Sequence, residues 1–243
     1  MPERNALLAA LGRAERARIV SLGRVVQLGL KDSLYEVNRP IRYVYFPLSG
    51  VLSLVTVLED GRGVEIATVG NEGMVGLPAF LGARSIPGRA FSQVQGESVR
   101  IAAAAFRKEV GPKSALHDLL HRYAQALFNQ ISWSVACLRQ HSIEQRCARW
   151  LLMTQDRVAG ARFPLTQEFL ALMLGVRRAG VSEVASALQK AGLIKYVRGV
   201  MTILDRKRLE ERSCECYRVV REEYRRLVGR SGTPMKRSKR GGR

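Results

Sequence analysis

Apolar positions follow two different periods along this chain. Residues 5–22 place Leu7, Leu8, Leu11, Ile19 and Leu22 on one side of a charged segment, which predicts one N-terminal helix. Short runs rich in β-branched and aromatic residues follow at 25–28, 33–36, 43–46, 51–55, 64–67, 91–94 and 98–105. Asn38-Arg39-Pro40, 47–50, Glu59-Asp60-Gly61 and Gly70-Asn71 separate them as turns, a spacing that predicts an antiparallel sandwich or barrel. Asp60-Gly61 suits a tight hairpin. Phe106 to Glu109 reads as one helical turn, and Gly111-Pro112 as a break. From Ser114 to Gln140 no Pro or Gly intervenes, and Leu116, Leu120, Ala124, Leu127, Ile131, Val135 and Leu138 form a helical stripe. At ~1.5 Å per residue this helix spans about 40 Å, and its continuous stripe predicts pairing with a second copy.

The helical period continues beyond it. Ser142 with Gln145 is a capping-box pair that opens a helix to Arg157, burying Cys147, Trp150 and Leu151. Residues 160–164 read as a loop. From Gln167, Phe169, Leu170, Met173 and Leu174 recur at helical spacing, Gly175 interrupts, and Val176, Val181, Val184 and Leu188 continue. Counted from Gln167, Ala171 is fifth, Gly175 ninth and Val181 fifteenth. A small residue admits the second helix, a glycine takes the turn, and an apolar residue pins the second helix inward; this is the steric pattern of a helix-turn-helix. Arg177, Arg178, Ser182, Glu183 and Ser186 then point outward, types that read base edges or hold phosphates. Strands at 193–196 and 200–204 around Arg198-Gly199 make a wing with Arg198 at its tip. A final polar helix is expected over 206–227, and a Lys/Arg/Gly/Ser-rich disordered tail over 229–243, either a tether to DNA or a solubilising end.

Charge sharpens the reading. The 243 residues carry a formal net charge of +19. Residues 1–141 hold 17 basic and 11 acidic side chains, against 23 and 10 over 142–243, so the excess sits with the helix-turn-helix. Such a surface displaces counterions from phosphates. No apolar run reaches the ~18 residues of a membrane span, and the N-terminus is too polar for a signal peptide, so a cytoplasmic protein with no membrane partner is expected. Four cysteines in such a chain argue against disulfides. Cys214-Glu215-Cys216 is too closely spaced for a C-x₂-C knuckle and no second pair complements it in sequence; small packed residues are the favoured reading, with no metal and no cofactor expected, and a redox or metal role for Cys214 and Cys216 is the minority alternative. His117 and His121 stand at i, i+4, more in keeping with a solvated helix face than with haem or zinc. Residues 25–101 contain no His, which weakens a cupin-like metal enzyme; no catalytic residue is assigned.

Together these segments resemble the Crp/Fnr family of bacterial transcription regulators over roughly residues 7–217. Ser33-Leu34-Tyr35-Glu36, the stretch from Ile41 to Gly50, the stretch from Gly70 to Gly82, and above all 166–193 carry the resemblance. It implies an α+β chain of two domains: a jelly-roll-like effector domain related to cyclic-nucleotide-binding domains (1–112), a dimerisation helix (113–141) and a winged helix-turn-helix (142–228). It also implies double-stranded DNA as partner, a homodimer on a near-palindromic operator, RNA polymerase as a further contact, and a small effector in the β domain or activity without one. Cyclic-nucleotide-binding members pair a Gly-Glu with a later Arg-Ser or Arg-Thr. Here Gly76 is followed by Leu77, which accepts no hydrogen bond, and Arg89 by Ala90, which argues against cyclic AMP. Arg89 either holds another anion or is a solvated loop charge. The iron–sulfur members' N-terminal cysteines are absent before Cys137. In the recognition helix Arg178 takes the family's first Arg position, Ala179 replaces its Glu and Glu183 its second Arg, so an altered half-site is expected. Glu183 would accept from cytosine or pair with a neighbouring Arg; Thr166, Gln167, Arg177 and Arg198 suit phosphates. The alternative is a sensor with a protein partner and nonspecific nucleic-acid binding.

Overall fold

The computed structural model describes residues 2–158 and 160–229; the basic tail expected over 229–243 lies outside them from 230 onward. Instead of one N-terminal helix there are two, α1 (Ala6–Ala9) and α2 (Arg13–Ser21), broken at Gly12. Asn5 fixes where α1 begins. It is fully buried, its Oδ1 accepts from the Leu7 and Leu8 amides, and its Nδ2 donates to the carbonyls of Pro47 and Gly73. One side chain therefore caps α1 and ties it to the β domain.

Seven strands follow: β1 (Gly23–Leu28), β2 (Ser33–Tyr35), β3 (Tyr43–Pro47), β4 (Val51–Val57), β5 (Gly63–Val69), β6 (Gly88–Val94) and β7 (Gly96–Ala102). They form two antiparallel sheets, ordered β1-β7-β3 and β2-β6-β4-β5. The β4–β5 connection is longer than a two-residue hairpin: residues 58–62 loop out, with Gly61 at φ +80° and the Asp60 carboxylate accepting from the Arg62 amide. Short helices α3 (Leu77–Phe80) and α4 (Ala103–Glu109) close the roll, and α5 (Ala115–Gln140), capped by Ser114, lies against it. Where Gly73 meets α5 the approach is close enough that a Cβ would come within 2.5 Å of the Tyr123 ring, whose hydroxyl donates to the Met74 carbonyl.

Ser142 and Gln145 form the expected capping box on α6 (Ile143–Gln155). The stretch read as a loop instead contains β8 (Arg162–Pro164), which adds to the wing strands β9 (Ile194–Val197) and β10 (Val200–Ile203) in the order β8-β10-β9. Between them lie α7 (Gln167–Leu174) and α8 (Arg178–Lys190). The final helix is also two: α9 (Arg206–Arg212) and α10 (Glu215–Leu227), separated at Ser213-Cys214. α10 is not simply a polar helix. It runs back along α5, where Val220, Tyr224 and Val228 join the β-domain core. A second core unites α6, α7, α8 and the wing, and reaches Val55 and Phe91 of the neighbouring sheet.

Candidate nucleic-acid interface

The helix-turn-helix is assembled from short-range chemistry. Thr166 Oγ1 accepts from the Phe169 amide and starts α7. Gly175 ends it at φ +62°, a left-handed turn that suits glycine. Ala171, Val181, Ala185 and Leu188 are buried between the helices. Arg146 of α6 donates to the Leu174 carbonyl, fixing the end of α7. The wing turns at Arg198 and Gly199, both at positive φ (+48° and +75°), which throws the Arg198 side chain outward.

Arg177, Arg178, Glu183 and Ser186 are exposed on α8, with Ser182 half-buried beside them. Arg178 pairs with Glu168 of α7 at 3.0 Å, and Ser182 donates to Gln167 at 2.8 Å. Both pairs set side-chain direction rather than hiding it, since Arg178 and Glu168 remain mostly exposed. Glu183 makes no ion pair among the described residues, so the neighbour that takes Arg178 is Glu168. Thr166 and Arg198 also line a cleft of about 670 Å³ shared with Lys31, Arg89, Phe91 and Phe169 of the two domains.

The two domains meet through a polar clasp. Trp150 Nε1 donates to Glu65 Oε1 at 2.9 Å, Ser53 Oγ lies 2.7 Å from both Glu65 Oε2 and Gln93 Oε1, and Phe169 packs edge-on to Phe91 and Trp150. Burial pushes the Glu65 carboxyl up to about 7 against the bonds from Ser53 and Trp150. Beside it, the buried Arg157 pairs with the half-buried Glu72 at 2.8 Å, and a Cβ on Gly70 would meet the Arg157 side chain at 2.5 Å.

In the β domain, Gly76 (φ +99°), buried Leu77, Gly88 and Arg89 line a cavity of about 230 Å³ whose walls are otherwise mainly apolar. Ala90 faces the interior, but the Arg89 guanidinium stacks over Phe91, 5.5 Å from its ring, on the sheet face turned to α7. Arg89 is thus neither a solvated loop charge nor a group aimed squarely into the cavity.

Comparison with known proteins matches both halves. The profile of the cyclic nucleotide-binding domain family covers residues 25–111, and that of the Crp-like helix-turn-helix domain covers 145–212. The nitrogen fixation regulation protein FixK of Bradyrhizobium diazoefficiens is 24% identical over 218 residues, 85% of this chain and 89% of its own. The chain belongs to the Crp/Fnr family. Its fold matches FixK2 from Bradyrhizobium japonicum with a TM-score of 0.67 (18% identity, 79% of this chain and 98% of that one). A CRP/FNR-family transcriptional regulator from Thermus thermophilus gives 0.62 (21% identity, 77% and 97%). This Crp/Fnr member is therefore a DNA-binding transcription regulator, from a family of regulators and not of enzymes. No helix among its described residues is long and apolar enough to cross a membrane.

The sequence did not reveal the Glu65 clasp, because Glu65 stands in an ordinary strand alternation and its partner Trp150 is 85 residues away. Nor did it reveal that Cys137 and His141 come up to Cys214 and Cys216, which supplies a second pair that the sequence spacing does not show.

Proposed function

We propose that this regulator acts as a homodimer paired through α5, each protomer presenting α8 to the major groove of one operator half-site. The supporting observation is an unpartnered apolar stripe on α5. Phe128 and Val135 are each 64% exposed, Leu138 is also exposed, and with half-buried Ala124 and Ile131 they fall at heptad a and d spacing. Leu116, Leu120 and Leu127, counted in the same stripe from sequence, turn instead into the protomer's own core. A two-fold axis along α5 places two recognition helices for two half-sites.

On each half-site, Arg178 reads a guanine and Glu183 a cytosine amino group, Ser182 and Ser186 adjust to neighbouring bases, and Thr166, Gln167, Arg177 and Arg198 hold phosphates. RNA polymerase is the downstream contact, and a regulator of transcription does this work in the cytoplasm. The cavity at Gly76 and Leu77 suits a small, largely apolar effector or none; a cyclic nucleotide would meet Leu77 where its ribose needs an acceptor.

Selection from a random DNA pool with ligand-free protein, followed by titration at two salt concentrations, tests this reading. A palindromic motif establishes a dimeric sequence reader competent without ligand. Steeply salt-dependent binding with no preferred sequence, unchanged by small-molecule screening of the cavity, would overturn it in favour of a nonspecific binder with a protein partner.

A further inference from the structure

Four side chains stand outside the DNA-reading surface, and all four fall outside the two matched profiles, 25–111 and 145–212. Cys137 and His141 lie one turn apart at the C-terminal end of α5, Cys214 caps α10, and Cys216 sits in its first turn. Because α10 runs back along α5, the two pairs meet. Cys137 Sγ lies 3.5 Å from Cys214 Sγ, Cys216 Sγ lies 3.6 Å from His141 Nδ1, and all four ligand atoms are within 4.8 Å of one another. The three thiols are buried, with Trp133 packed against them.

We propose that Cys137, His141, Cys214 and Cys216 bind a structural zinc ion, locking the winged helix-turn-helix to the dimerisation helix at both of its ends.

Geometry, proton placement and charge each support this. Zn–S bonds of ~2.3 Å and Zn–N of ~2.1 Å put tetrahedral neighbours about 3.5–3.8 Å apart. The two measured contacts already have that spacing, and the widest separation closes with a movement of about 1 Å. Ligand atoms this close surround a single ion, leaving no room for bridging sulfides of an iron–sulfur cluster. His141 Nε2 is 3.2 Å from Glu215 Oε2. That carboxylate holds the ring proton on Nε2 and leaves the Nδ1 lone pair facing the thiols, the outer-shell arrangement of zinc-bound histidines.

Charge is balanced locally as well. Three thiolates and Zn²⁺ carry a net −1. Arg149 of α6 is buried, its Nε has no partner, and among the described residues its one hydrogen bond is to Ser134 Oγ, with no carboxylate in ion-pair range. An unmatched buried guanidinium is costly, and an anionic zinc–thiolate centre would match it. Cys147, one turn before Trp150, lies outside the cluster. A simple Cys137–Cys214 disulfide would leave Cys216, His141 and the oriented Glu215 without a task.

The test is metal analysis of the full chain, purified under reducing conditions without metal-affinity resin or chelator. We expect one zinc per protomer, and a tetrahedral thiolate spectrum when Co²⁺ replaces it. Cys216→Ser should abolish that spectrum, while Cys147→Ser should retain it. Glu215→Gln changes a mostly exposed side chain, so the fold is kept; it should weaken zinc binding about 10–100-fold. Failure to bind zinc or Co²⁺ on titration would overturn the proposal. So would an octahedral Co²⁺ spectrum, unchanged affinity in Glu215→Gln, or a mapped Cys137–Cys214 disulfide in anaerobically prepared protein. Operator binding is measured separately, so loss of the metal site and loss of the DNA-reading assignment are told apart.

Discussion

Arg178 and Arg198 carry the same charge at different addresses, and that difference is measurable. Arg178 is aimed from the first turn of α8 and steadied by Glu168. Arg178→Ala should cost about 1–3 kcal/mol against the preferred base at one position per half-site and flatten the preference there. Arg198→Ala, at the wing turn, should weaken binding to all sequences alike and reduce the salt slope by about one phosphate. Competition titrations on an operator and its scrambled form separate the two. Glu65 predicts a pH effect. Its carboxyl is raised from 4.5 to about 7 in the docked state, so docking favours the protonated form. That contribution is complete below about 4.5 and is lost as pH rises through 7. Protection of the α7 amides, corrected for the intrinsic pH dependence of exchange, should therefore fall across pH 5–8, and Glu65→Gln should remove that fall. At this scale the caps were legible: Ser142, Gln145, Thr166 and Gly175 act through neighbours a few residues away. The facing of Arg89 was not. Six of the seven β6 residues are buried, because the roll covers one face and α7 the other, so no polar alternation marks inside from outside.

Among the elements, α5 shows why a stripe read from sequence needs dividing. Period 3.6 toward the roll and period 3.5 toward a partner both draw on the same apolar residues, and they overlap at Ala124 and Ile131. Only the packing of the β domain and α10 separates them. Replacing Phe128 and Val135 together with Glu should give a monomer by analytical ultracentrifugation, with unchanged helicity, since neither contributes to the protomer core. Loss of half-site cooperativity should accompany it. The α6 cap offers a simpler case. Ser142→Ala removes the side-chain half of the capping box and should cost about 1 kcal/mol in chemical denaturation. The breaks at Gly12 and Ser213 were missed for opposite reasons. Gly12 was outvoted by the leucines around it, and Ser213-Cys214 contains neither Gly nor Pro to announce an end.

For the whole molecule, the order of domains was written in the change of period from two to 3.6 and in the concentration of charge after residue 141. How the domains touch was not, since Trp150, Phe169 and Arg157 look like ordinary core or surface residues until Glu65, Phe91 and Glu72 stand opposite them. Arg157→Met should loosen this junction, because it leaves Glu72 without its buried partner; increased proteolysis between the domains, with α5 pairing retained, is the expected readout.

The return of α10 to the β-domain core has a consequence for synthesis. The Tyr123 and Tyr224 rings lie 6.3 Å apart and Arg122 donates to the Leu227 carbonyl, so the β domain is completed by a helix that leaves the ribosome after the DNA-reading half. While residues 215–229 are still inside the exit tunnel, that side of α5 is bare. The nascent chain therefore carries a sticky face throughout translation of the DNA-reading half. Ribosome-stalled chains ending at residue 213 should be cleaved by protease within the β domain, where released full-length protein resists.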